Sequence, residues 1–276
     1  MNKIEQMQIE ELQQQLMLKD MQLSELRAQV ETKQAELLLE KQKLETLLLD
    51  ILPKEICLEL LKDHSVEPQF YKSVSVLFLD VAGFTSMCER IELRELITEL
   101  NTHFTNIDDI CERHYLEKIK TIGDAYLCVG GMPMRNHSHP VDAVAAALEM
   151  LQYMEKVNVQ KRLQGKELWN VRIGVHTGSV IAGVIGKKKF LYDIWGDTVN
   201  VASRMETGSD VGKINISGVT YDLVKDYFAC SYRGKMPVKN KEDLAMYFVD
   251  GYLPQYSMDE TGTVPNSNFT KALQML

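Results

Sequence analysis

The sequence predicts an α+β sandwich, helices layered on a mixed β-sheet, preceded by one long helix. Three observations predict it. The first fifty residues contain neither Gly nor Pro and carry an apolar stripe of period 3.5. From Ser73 onward, short apolar β-rich runs alternate with helical patterns. Two of those runs are separated only by Gly123-Asp124, the spacing of a tight hairpin.

The bulk composition narrows the function before any motif is read. The chain has 276 residues, 45% of them hydrophobic and 25% charged, with a net charge of -8. That balance argues against binding nucleic acid through its phosphate backbone, which needs excess Lys and Arg. It does not exclude a single nucleotide held in a metal-bearing pocket. The five cysteines include no close CxxC pair, so neither a disulfide framework nor a zinc site is expected. No apolar run approaches the ~20 residues that cross a bilayer, and MNKIEQMQIEEL is too polar for a signal peptide. The expectation is a cytoplasmic protein, or the cytoplasmic part of a larger one.

Stepping by three and four from Ile9 reaches Leu12, Leu16, Leu23, Leu26, Val30, Leu37, Leu44, Leu47 and Ile51. Lys19, Lys33 and Glu40 interrupt the series. An ordinary 3.6-period surface helix would drift off this stripe, so residues 1–52 read as a parallel coiled coil that dimerises the chain. A lone spacer helix would expose a patch that soluble monomers avoid. Pro53 interrupts the helix. ILPKEICLELL then reads as a short amphipathic helix, and residues 53–72 as a connector. Residues 73–252 form the globular domain. Its elements are the strand VSVLFLD, a helix from Glu89 to about Tyr115, the hairpin LEKIKTI/AYLCVGG and a helix from Pro140 to about Val159. VRIGVHTG, SVIAGVIG and FLYDIWG follow, then the helix TVNVASRMET, the strand INISGV, the helix TYDLVKDYF and two final strands. The polar residues 253–276 read as a mobile tail.

Three segments carry chemistry. In FLDVAGFTS, Asp80 ends a buried strand, and the N–H groups of Gly83, Phe84 and Thr85 open a helix where phosphate oxygens can sit. The plain alternative makes Asp80 a strand-ending cap. In KIKTIGDAY, Asp124 lies in the hairpin turn. If the hairpin flanks the first strand, both carboxylates reach one rim and suit Mg²⁺, which takes few protein ligands. Gly-Asp is equally ordinary turn chemistry. In YDIWGDTVNVASRME, Asn200 and Arg204 lie four apart on one helix face, and Asp197 or Thr198 can cap it. An amide and a guanidinium aimed together can grip ribose and phosphate, although Arg204 could simply pair with Glu206.

FLDVAGFTS, KIKTIGDAYLCVGG, RIGVHTGSVIAGVIG and YDIWGDTVNVASRM together resemble the catalytic domain of class III adenylyl and guanylyl cyclases, in order and spacing, over about Val74 to Asp250. Residues from about Lys41 to Leu61, with LLLDILP, resemble the signalling helix that precedes such domains. The resemblance implies a ferredoxin-like, mostly antiparallel sheet. It implies two Mg²⁺ or Mn²⁺ ions held by Asp80, Asp124 and the Val81 carbonyl. Asn200 would position the ribose and Arg204 meet the α-phosphate. Arg172 matches a phosphate-binding arginine and Lys239 a triphosphate-binding lysine, with Asn240 where the family usually shows Gly. Lys120 and Asp193 stand at the base-selecting positions: Lys120 can donate to adenine N1 and Asp193 accept from N6. Guanylyl types typically carry Glu and Cys there. A site built for one base rejects the other by about 10²-fold or more. The implied activity is adenylyl cyclase, ATP to cyclic AMP and pyrophosphate. The metal half of each site comes from one chain and the Lys120, Asp193, Asn200 and Arg204 half from the other, so the active form is a homodimer. The coiled coil reads either as the end of a longer sensor protein or as the start of a complete chain, so an upstream sensor domain is one of two open arrangements. No His or Glu stands out as general base; a carboxylate, water or substrate phosphate takes the proton. Alternatives are a guanylyl cyclase, an inactive cyclase-like module, or a coiled-coil scaffold. His137 and His139 lack a third ligand nearby and read, like Lys187 to Lys189, as solvated loop.

Overall fold

The computed structural model describes residues 3–49, 51–63, 65–186, 191–236 and 243–276, and the chain divides between Ser65 and Val66 into two compact units. The first unit is helical: α1 (Lys3–Leu49) and α2 (Lys54–Asp63). The absence of Gly and Pro lets α1 run unbroken, and its polar surface adds the pairs Lys33–Glu36 and Lys41–Glu45. The stripe of period 3.5 stands exposed along it, from Ile9 through Leu16, Leu26 and Leu37 to Leu47. Ile51 and Leu52 close the last turn by donating to the Leu48 carbonyl, and the chain re-enters helix just past Pro53.

The second unit begins with β1 (Gln69–Val81), α3 (Phe84–Arg90), α4 (Leu93–Arg113), β2 (Leu116–Ile122) and β3 (Ala125–Gly130). It continues with α5 (His139–Gln164), β4 (Val171–Ile185), β5 (Leu191–Trp195), α6 (Asp197–Thr207), β6 (Ile214–Ser217) and α7 (Gly218–Val224). β7 (Phe228–Met236), β8 (Leu244–Tyr252) and α8 (Ser267–Leu273) complete it. Eight strands form one sheet in the order β2-β3-β1-β4-β6-β8-β7, with β5 beside the far half of β4. Among the described residues, only β4 and β6 pair in parallel. This is the expected mixed, mostly antiparallel α+β sheet. The helix expected from Glu89 instead starts at Phe84 and breaks near Ile91, where the Glu92 carboxylate accepts from the Arg94 N–H and caps α4.

Alternation along the central strands explains the layering. Leu77, Leu79 and Val81 of β1 and Val171, Ile173 and Val175 of β4 point to one face, into a core shared with α4 and α5. Phe78, Asp80, Arg172 and Gly174 point to the other face, where α6 lies on β4. Gly174 makes that approach possible. A Cβ built there would lie 1.9 Å from the Glu206 backbone N, so α6 sits directly on the strand.

Two expectations are corrected. Residues 253–276 are not a loose tail: Phe269 of α8 is 4% exposed, in edge-to-face contact with Tyr227, Phe228, Tyr252 and Tyr256. Asp259 folds the preceding loop by accepting from the Thr263 and Val264 N–H groups and from Ser257 and Thr261. The segment's polarity is local turn chemistry, and Phe269 anchors it. His139 is not a solvated loop residue either. It is buried at the start of α5, where Ser73 and Ser75 hydrogen-bond its two ring nitrogens, and burial lowers its pKa to about 4. Among the described residues, no helix is long and apolar enough to cross a membrane.

Candidate active site

Asp80 ends β1 on the α6 face, with Ala125 beside it on β3 and Arg172 on β4. Asp124 immediately precedes Ala125, so the tight turn expected between β2 and β3 brings it to the same rim. The two carboxylates interact. Asp124 has a raised pKa, first through burial and then through the negative charge of Asp80, against the pull of Arg172. The carbonyl of Val81 follows directly on β1.

Arg172 reaches across the strands to this rim. Its Nη2 and Nε donate to Asp80 Oδ2 at 2.8 and 3.1 Å. Its Nε also stands 2.7 Å from Oε1 of Glu206, an ion pair outside hydrogen-bond alignment that leaves this oxygen without a hydrogen-bond partner. Glu206 is buried, and its pKa is raised by burial and by Asp80. Two carboxylates, Asp80 and Glu206, therefore meet one guanidinium, and Asp124 feels the charge of both Asp80 and Arg172, an excess of negative charge that a divalent cation can balance. Among the described residues, no cluster of three or more His, Cys, Asp or Glu could hold a metal alone. Two carboxylates and a carbonyl fit Mg²⁺ or Mn²⁺ whose remaining ligands are water and phosphate oxygens.

The loop after β1 suits those phosphates. Gly83 sits at φ 80°, a left-handed turn open to a residue without Cβ, and α3 starts there without a side-chain cap. Gly83 and Thr85 are exposed, while the Phe84 ring packs near Trp169, 6.3 Å between centroids. Trp169 is itself pinned, donating from Nε1 to Glu99 at 2.8 Å; Lys161 grips the same carboxylate. The loop thus has a rigid floor.

A second group gathers on the same sheet face. Lys120 of β2, Leu127 of β3 and Phe78 of β1 are register neighbours. Lys120 Nζ lies 2.5 Å from Oδ2 of Asp193 on β5, and the other Asp193 oxygen accepts from the Ile194 N–H. Residues 73 apart in sequence are thus one donor–acceptor pair. On α6, Val201, Ala202 and Met205 turn inward, and Asn200 and Arg204 are exposed. Among the described residues, no side-chain hydrogen bond or ion pair engages either one. The simple alternative for Arg204 fails, because Glu206 faces Arg172 instead. Lys239 and Asn240 lie outside the described residues, as do Lys187 to Lys189.

Residues 66–251 match the family model described as the adenylate and guanylate cyclase catalytic domain. The chain is a member of the class III nucleotide cyclases. It is similar to guanylyl cyclase C of Homo sapiens, 35% identical over 227 residues that cover 80% of this chain and 21% of the relative. The chain thus spans about a fifth of the length of such curated relatives. Among solved structures it resembles the guanylate cyclase domain of RhGC from Catenaria anguillulae in complex with GTP, at 36% identity and TM-score 0.63, covering 67% of this chain and 100% of that one. It also resembles the adenylyl cyclase CyaB from P. aeruginosa, at 32% identity and TM-score 0.62, covering 66% and 95%.

Within this cyclase domain, two contributors escaped the sequence reading. Glu206 follows Ala202 by four residues and so falls on the apolar side of its helix; a carboxylate placed there was the available signal. Gly174 looks like any strand glycine until the helix crossing it is known.

Proposed function

We propose that the chain is an adenylyl cyclase, converting ATP to 3′,5′-cyclic AMP and pyrophosphate at sites shared across a homodimer. The observation that carries the base assignment is the Lys120–Asp193 pair. It presents a donor and an acceptor side by side, matching N1 and N6 of adenine, whereas guanine offers the reverse pattern at those atoms. Names among the curated relatives lean toward guanylyl cyclases and those among the solved structures include both kinds, so support for the adenylyl reading comes from the base-facing residues. A guanylyl activity is the second reading, favoured by those names alone.

In the reaction, the ribose 3′-oxygen bonds to the α-phosphorus, the bond to the β-phosphate oxygen breaks, and the 3′-hydroxyl proton is released. Asn200 orients the ribose and Arg204 meets the charge gathering on the α-phosphate. N–H groups of Gly83, Phe84 and Thr85, with Arg172 and Lys239, hold the triphosphate. Asp80, Asp124 and the Val81 carbonyl would hold two Mg²⁺ or Mn²⁺ ions, which would supply Lewis-acid activation of the hydroxyl and neutralise phosphate charge.

The dimer reading rests on exposure. Asn200 and Arg204 are exposed and engaged by no side-chain hydrogen bond or ion pair among the described residues, and the heptad stripe of α1 lies exposed. A parallel pairing of residues 1–52 covers that stripe, and the connector 53–72 transmits its register to the domain at 73–252. In this reading the reaction runs in the cytoplasm, with an upstream sensor domain as one candidate source of its signal. Incubating the protein with ATP and Mg²⁺ or Mn²⁺ should yield cyclic AMP. Absence of that product with folded dimer present removes the assignment.

A further inference from the structure

Arg172 is held from two sides. Asp80, which the cyclase reading assigns to a metal, accepts hydrogen bonds from its Nε and Nη2, while Glu206 stands 2.7 Å away in an ion pair without hydrogen-bond alignment. A cation that takes Oδ2 of Asp80 displaces this guanidinium. Arg172 then needs another anion, or its release costs the whole ion pair. We propose that Glu206 is a positioning residue that retains Arg172 when a cation takes Asp80, keeping the guanidinium in place to receive the triphosphate. This rests on the metal site proposed above.

Three features of Glu206 fit the role. Its side chain is 8% exposed against 32% for Arg172, so it is the fixed member of the pair. The oxygen facing Arg172 has no hydrogen-bond partner, so it can accept a full bond when the guanidinium turns from Asp80. Its backbone is fixed too, since the helix here presses on Gly174 without room for a Cβ. Glu206 also shares α6 with Asn200 and Arg204, which face the opposite way. One helix therefore positions the phosphate arginine of its own chain and offers catalytic groups to another.

The test is nucleotide-free Mn²⁺ binding to the full-length dimer, read by electron paramagnetic resonance. The wild-type signal should vanish in Asp80→Asn; if it persists, the metal-site reading falls and this inference with it. Glu206→Gln keeps shape and removes charge, and Mn²⁺ affinity should drop about tenfold because Arg172 then clings to Asp80. Arg172→Gln should bind Mn²⁺ several-fold more tightly. In the double variant Glu206→Gln with Arg172→Gln, affinity should match Arg172→Gln within about twofold. If Glu206→Gln weakens binding equally with and without Arg172, the carboxylate acts only through its field and the proposal is overturned. Unchanged affinity in Glu206→Gln overturns it too, as does weaker binding in Arg172→Gln, an arm that stands even should Glu206→Gln fail to fold.

Discussion

Replacing Gly174 with Ala adds one methyl group at the most constrained point of the domain. The new Cβ would lie 1.9 Å from the Glu206 N and 2.5 Å from both the Glu206 Cα and the Met205 carbonyl carbon. These are backbone atoms, so no rotamer change relieves the clash. Ordinary contact begins near 3.4 Å, so α6 must withdraw by roughly 1.5 Å. That lifts Val201, Ala202 and Met205 off the sheet. Overpacking of this kind costs about 1–3 kcal/mol, and a backbone clash belongs at the top of that range. At about 2–4 °C per kcal/mol for a domain of this size, the melting temperature should fall by roughly 6–12 °C. The same shift displaces Asn200, Arg204 and Glu206, and an ångström of misplacement costs about 10²-fold in rate. Calorimetry and cyclase turnover on one preparation measure both. A variant melting within 2 °C of its parent and turning over within twofold would falsify the close-packing account of Gly174.

Further outcomes are expected. Chains carrying Asp80→Ala or Arg204→Ala should each be inactive, and mixing them under exchange should restore part of the activity in cyclic nucleotide assays; no restoration contradicts a shared site. Lys120→Glu combined with Asp193→Cys should move preference from ATP toward GTP, measured as the ratio of kcat/KM values, and an unchanged ratio in folded protein would sink the base-selection argument. His139 has a pKa near 4 when folded against 6.5 when free. The unfolded chain therefore binds the proton first, and stability is complete above pH 6.5 and declines as pH falls toward 4, by about 3 kcal/mol in all. Urea melts at stepped pH should show this decline flattened in His139→Gln, and parallel curves would contradict the buried, neutral imidazole.

The sheet was legible because its signals are local. VSVLFLD, the Gly123-Asp124 turn and the helical pattern of TVNVASRMET each announce an element within a few residues. Asp80, Asp124, Asn200 and Arg204 could be singled out because strand ends, turns and helix faces follow from short-range spacing. Pairing across the sheet was not legible in that way. That Lys120 meets Asp193, or that Arg172 lies between Asp80 and Glu206, depends on register between strands far apart in sequence. The Lys120 and Asp193 roles came only through family resemblance. The C-terminal segment was misjudged because polarity suggested solvent, while Asp259 and its hydroxyl neighbours satisfy one another and Phe269 supplies the anchor. His139 was misjudged for a related reason: its partners, Ser73 and Ser75, precede it by more than sixty residues.

The central claim is that Lys120 and Asp193 select adenine at a cyclase site. The most direct measurement gives the purified dimer equal concentrations of ATP and GTP with Mn²⁺ in one reaction and quantifies both cyclic products by mass spectrometry. The account predicts cyclic AMP in excess by about 10²-fold or more. Cyclic GMP equal to or above cyclic AMP would contradict it.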